Sequence, residues 1–201
     1  MTSLERKRSF DKIIEKIEYA RLSVNDHHIV KIVAASKYVG AEEIKKLYDI
    51  GQRAFGENKV QDLVSKATVL DDLPIEWHFI GTLQKNKINH LLQLSPFLIH
   101  SLDSLDLATA LQERLVRNNQ KIRALVQVNS AYESSKSGFL PEQFLESYSQ
   151  ISETCPNIHL QGIMSIGAHS DEKATIIKSF ETTRHLFEQL PKSATICSMG
   201  M

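Results

Sequence analysis

The sequence predicts an α/β fold built on a parallel sheet that curls into a (β/α) barrel. Seven strand-like runs alternate with helical patterns along 201 residues, the signature of parallel strands joined by crossover helices. The run Ile29–Lys37, IVKIVAASK, is apolar almost throughout rather than alternating, as expected of a strand buried on both faces. No G-x-G-x-x-G follows it, which disfavours the open, doubly wound sheet of dinucleotide-binding proteins and favours the barrel.

The elements follow in order. Leu4–Leu22 sets Phe10, Ile13, Ile14 and Ile17 on one stripe with charges opposite, an amphipathic helix. Strands are expected at His28–Ser36, Gln52–Gly56, Ile75–Ile80, Phe97–His100, Lys121–Val128, His159–Ile166 and Ala194–Ser198. Between them lie helices at Ala41–Ile50, Lys59–Leu70, Gln84–Leu94, Ser104–Asn118, Pro141–Thr154 and Glu172–Leu190. Gly51 suits a helix C-terminus, Asp103 or Ser104 an N-cap, and Pro141 a first turn. No repeat, low-complexity tract or linker divides the chain, so residues 1–201 are expected to form a single domain.

Composition narrows the function. Hydrophobic content of 42% and charged content of 24% are those of a soluble globular protein. The formal net charge is zero and no long basic stretch occurs, so nucleic acid is not an expected partner. The N-terminal segment has no uninterrupted apolar stretch, and nowhere does an apolar run reach the ~18 residues a membrane span needs. Cys155 and Cys197 stand far apart without metal-ligand spacing, which fits reduced thiols and a cytoplasmic location.

In a (β/α) barrel the chemistry sits at the C-terminal ends of the strands. Those ends carry Lys37; Glu57 and Asn58; His78 and Gly81; His100 and Ser101; Gln127 and Asn129; Met164 and Ser165; Ser198 and Gly200. A lysine held at the mouth of a rigid scaffold is a candidate Schiff-base nucleophile. Each residue also has a plain structural explanation: Asn58 as a helix cap, His78 as a satisfied core histidine, the serines bonded to local backbone. Glu133 and Lys136 read as a salt bridge within a loop, and Lys85 and Lys87 as a solvated charged face. His27–His28 lacks the spacing of a metal site.

The ordered combination AASK (Ala34–Lys37), FGENKVQD (Phe55–Asp62), WHFIGTLQKNK (Trp77–Lys87), IHSLDS (Ile99–Ser104), QVNSAYESSKSGF (Gln127–Phe139), GIMSI (Gly162–Ile166) and SMGM (Ser198–Met201) resembles the YggS/PROSC family of pyridoxal phosphate homeostasis proteins. The resemblance implies a (β/α)8 TIM-type barrel of the alanine racemase N-terminal domain type. It implies pyridoxal 5′-phosphate as cofactor, held as a Schiff base on Lys37. Asn58 and His78 would line the ring, with Met164 and Ser198 to Gly200 shaping its far side and the phosphate end.

Family members continue SMGM into a further helix and a strand with an arginine–isoleucine–glycine motif, whereas this sequence ends at Met201. The expectation is therefore a barrel lacking its last strand and helix, with two open edges. The implied role is to hold and pass on the cofactor, with apo pyridoxal-phosphate enzymes as partners, a monomeric state and no strong catalysis of its own. An amino-acid racemase is the alternative. Its second acid–base group comes from a further domain that a chain of this length lacks.

Overall fold

The computed structural model describes residues 2–24 and 29–200. Helices α1 (Ser3–Val24), α2 (Ala41–Tyr48), α3 (Val60–Val69), α4 (Ile88–Leu94), α5 (Leu105–Arg117), α6 (Pro141–Thr154) and α7 (Lys173–Glu188) alternate with strands β1 (Ala34–Ala35), β2 (Ala54–Glu57), β3 (Glu76–Phe79), β4 (Leu98–Leu102), β5 (Ile122–Val128), β6 (Ile158–Ile166) and β7 (Ile196–Gly200). A single 3-10 turn, Lys85–Lys87, leads into α4. The expected punctuation is present: Ser104 Oγ accepts from Leu107 N at 3.2 Å, Pro141 opens α6, and Gly51 takes φ +116 after α2.

All seven strands are parallel and lie in sequence order, β1 to β7. A doubly wound sheet would reverse its order at a switch point. Unbroken order with right-handed crossovers instead keeps the helices on one face and curls the sheet as in a (β/α) barrel. Among the described residues β1 pairs only with β2 and β7 only with β6, so the two edges are open.

The main core fills the space between sheet and helices. Leu63, Leu91, Leu111 and Ile151 project from α3 to α6 onto Phe79, Ile99, Ala124, Val126 and Ile163, all buried. Complete burial of one such large side chain is worth about 1.5–3 kcal/mol. Ile44, Phe55 and Leu70 form a smaller cluster under β2. On the inner face Leu98, Leu125 and Met164 pack with Phe97, Ile166 and Ile196.

Two irregularities decide which side chains face inward. In β6 the register against β5 slips between Leu160 and Gly162, one residue more than strict pairing requires. Gly162 sits there at φ +144, and a Cβ on it would lie 1.9 Å from Ile196 O, so only glycine fits. The bulge changes the phase of β6, setting Ile163 in the helix-side core, Met164 in the inner cluster and Ser165 against α7, where Thr183 Oγ1 donates to its Oγ at 2.8 Å. A similar slip between Ile99 and Leu102 in β4 puts both of those residues in the helix-side core.

The first strand departs from expectation. Regular pairing covers only Ala34–Ala35; Ile29 is 95% and Val30 50% exposed, and His28 lies outside the described residues. A strand with one neighbour has no second ladder to hold its length, and its apolar residues lose the burial that the unbroken pattern suggested. The α1 stripe is also only partly covered. Ile13 is exposed, while Phe10, Ile14 and Ile17 line a groove of about 310 Å³ with Val30 and Ile32.

Candidate functional site at the strand ends

Lys37 lies in the turn after β1. Behind it, Ser36 Oγ donates to Glu57 Oε1 at 2.6 Å, Lys66 Nζ of α3 bonds the same oxygen at 2.6 Å, and Lys66 Nζ also donates to Ser36 O at 2.9 Å. Glu57 is fully buried and its Oε2 has no partner among the described residues. This knot ties β1, β2 and α3 together on the helix side, one residue before Lys37. Lys37 is half-buried, with Nζ 5.1 Å from the Tyr38 ring centroid and no ion pair among the described residues.

Asn58 follows β2. It does not cap α3: the N-cap residue is Lys59, with no side-chain bond to the helix. The half-buried Asn58 amide has no hydrogen-bond partner among the described residues. Its backbone is wedged against the turn after β3, where a Cβ on Gly81 would lie 2.1 Å from Asn58 O.

The inner face beyond carries a chain of hydrogen bonds. His78 Nδ1 lies 2.8 Å from His100 Nε2, and His100 Nδ1 lies 2.9 Å from Ser198 Oγ on β7. Ser198 is the register partner of Met164. Both rings are 3% exposed or less, and His78 also packs tilted on Phe97 with ring centroids 5.2 Å apart. Burial, then the positive charges of Lys31 and Arg123, depresses His78 to about 4. Burial, then His78 itself, depresses His100 to about 3. Both imidazoles are therefore neutral at physiological pH. His78 is only half a satisfied core histidine, because its Nε2 is buried without a hydrogen-bond partner among the described residues.

Thus His78, Met164 and Ser198 share one cluster with His100, whose position at the hub of the chain the sequence offered no way to single out. Gly200 ends β7, and its carbonyl accepts from Gly167 N at 2.8 Å. Lys37 and Asn58 stand at the first two strand ends, and no hydrogen bond joins either to the histidine chain among the described residues.

Of the remaining strand-end groups, Asn129 secures the loop after β5, with Nδ2 donating to Glu133 O and Lys136 O and Oδ1 accepting from Glu133 N. The Glu133–Lys136 salt bridge, 2.9 Å, also reaches the loop after β6: Lys136 Nζ donates to Gly167 O and His169 N to Glu133 Oε1. Lys85 pairs with Asp106, both exposed. Among the described residues no cluster of metal-ligating groups occurs, both cysteines are free, and no helix is long and apolar enough to cross a membrane.

The model of the alanine racemase N-terminal domain matches residues 9–201, and the chain belongs to that family. Within it, the chain is one of the pyridoxal phosphate homeostasis proteins. It is 56% identical to that protein of Helicobacter pylori strain J99 over 98% of this chain and 89% of the relative. The human protein of the same name is 35% identical over 85% of this chain and 67% of its own. Among solved structures, PipY of Synechococcus elongatus with PLP bound aligns with TM-score 0.72 at 28% identity, covering 88% of this chain and 82% of PipY. Alanine racemase of Clostridium difficile aligns with TM-score 0.72 at 14% identity over 94% of this chain and 50% of its own, a likeness of fold.

Proposed function

We propose that this chain binds pyridoxal 5′-phosphate and serves to hold and hand on that cofactor, with Lys37 as its covalent anchor. The observation that carries the reading is the pair at the first two strand ends. A half-buried amine and a half-buried amide stand there without a hydrogen bond or ion pair among the described residues, next to strands fixed from behind by the Glu57–Lys66–Ser36 knot. Buried or half-buried polar groups that the protein does not satisfy fit a ligand that would. The close relatives named for pyridoxal phosphate homeostasis, and PipY with PLP bound, support the same cofactor.

When bound, the cofactor supplies an electrophilic aldehyde carbon conjugated to an electron-withdrawing ring. Lys37 would condense with it, Asn58 and His78 would line the ring, and Met164, Ser198 and Gly200 would border the side nearest β6 and β7. The protein's part is to orient the group and to exclude water from the attachment.

The reading is of a carrier rather than a racemase. Racemisation requires placed acid–base groups on both faces of the ring. Burial lowers His78 to about 4 and His100 to about 3, which makes both weak bases, and His100 is engaged with both His78 and Ser198. Apo-enzymes that receive the cofactor, a cytoplasmic site of action and a monomeric state complete the proposal.

Titration with pyridoxal phosphate followed by visible absorption tests it. A saturable band in the wild type that is absent from Lys37→Ala is expected, together with no turnover of L- to D-alanine. Equal bands in the two proteins would overturn the anchor, and racemisation abolished by Lys37→Ala would overturn the carrier role.

A further inference from the structure

Lys37 and Tyr38 are the two central residues of a turn that the strand end holds in place. Val39 N donates to Ser36 O at 3.0 Å and closes the turn. Ser36 O also accepts from Lys66 Nζ at 2.9 Å, Ser36 N donates to Gly56 O at 2.9 Å, and Ser36 is buried. With its first residue fixed in this way, the turn sets where the next two side chains start. The Lys37 amine comes to rest 5.1 Å from the centroid of the Tyr38 ring. That is within the ~6 Å over which an aromatic face attracts an ammonium.

The ring has no structural task to explain its place. Tyr38 is 88% exposed, and its hydroxyl makes no hydrogen bond among the described residues. The interaction left to it is the one with Lys37. An aromatic face attracts the ammonium and not the neutral amine. Only the neutral amine condenses with an aldehyde. In that step Nζ forms a C=N bond to the carbonyl carbon, and the carbonyl oxygen leaves as water with both amine hydrogens, the third proton of the ammonium having gone to solvent. The ring therefore stabilises the one state of Lys37 that cannot react.

We propose that Tyr38 is a positioning residue that parks the Lys37 ammonium in the ligand-free protein, so that attachment of an aldehyde must first lift the amine off the ring and the hold on the cofactor is loosened by that amount. A loosened hold suits a protein that gives the group up again. The effect on binding rests on the reading of Lys37 as anchor, whereas the resting contact does not. An exposed contact of this kind changes an equilibrium by about two- to fivefold.

The first test is NMR of the lysine-labelled full chain without ligand. The ε-CH2 signal of Lys37, assigned by its loss in Lys37→Ala, should move downfield in Tyr38→Leu as the ring current is removed, and should hold its place in Tyr38→Phe. A signal unmoved in Tyr38→Leu overturns the proposal. The second is titration with pyridoxal phosphate followed by visible absorption. Tyr38→Leu should bind about two- to fivefold more tightly than the wild type, and Tyr38→Phe should restore the wild-type affinity. Equal binding by Tyr38→Leu overturns the proposal, and so does weaker binding, which would mean that the ring packs on the cofactor instead. Absence of a Lys37-dependent band in the wild type overturns the anchor reading, while the ligand-free spectrum still decides the contact.

Discussion

Acidification probes the buried histidine pair through stability alone. In the unfolded chain each imidazole takes a proton near pH 6.5. In the fold, His78 is held down to about 4 and His100 to about 3, chiefly by burial. Between those limits the unfolded state binds more protons than the native state. The contribution is therefore complete above pH 6.5 and is lost as pH falls toward 4. One such group changes stability by at most ~1.4 kcal/mol per pH unit, so the pair gives a limiting slope of about 2.7 kcal/mol per unit. From pH 6.5 to 5 the loss approaches ~3 kcal/mol, a large share of the ~5–15 kcal/mol typical of a domain. Glu18, Glu43, Glu133 and Glu142 are held below the usual carboxylate range by their hydrogen-bond partners and titrate lower still, so pH 5 to 6.5 isolates the histidines. Urea unfolding followed by circular dichroism across that range reads the slope directly. His100→Gln should roughly halve it. A wild-type slope under ~0.5 kcal/mol per unit, or one that His100→Gln leaves unchanged, would refute the reasoning.

Glu57→Ala strands the Lys66 ammonium, 13% exposed, and leaves Ser36 Oγ only its 3.3 Å bond to Gly56 O; a loss of ~3–5 kcal/mol in urea unfolding is expected. Gly162→Ala forces a Cβ to within 1.9 Å of Ile196 O at φ +144, and should destabilise by at least ~2 kcal/mol in the same assay by breaking the β6 bulge. Lys136→Met removes the bonds to Gly167 O and to Glu133, leaving Glu133 held by His169 N, so limited proteolysis should cut faster at residues 130–139 and 167–172 while the thermal midpoint moves little.

The legible part of this fold was local. Helix boundaries followed from apolar spacing and from Ser104, Pro141 and Gly51, whose conformational roles depend on a few neighbouring residues. Strands β2 to β7 followed from apolar runs between turns. The first strand misled, because Ile29 and Val30 look buried unless the number of neighbours of their strand is known, and that is a property of the whole sheet. The inward aim of Met164 depends on the bulge at Gly162, which appears only once β7 is seen to lie against it. The six candidate site residues could be named from strand ends and resemblance. His100 as the link between His78 and Ser198 could not, since it joins residues 98 positions apart across the sheet. Lys66 escaped for the same reason: nothing local to a helical lysine says that the fold will bury it against the strand-end Glu57.

The central claim is that Lys37 is the covalent anchor for pyridoxal phosphate. Borohydride reduction of the wild-type chain with one equivalent of the cofactor, followed by peptide mass mapping, tests it most directly. A single phosphopyridoxyl adduct on Lys37 is predicted. An adduct on Lys66 or Lys136 in its place, or modification scattered over the exposed lysines, would contradict the account.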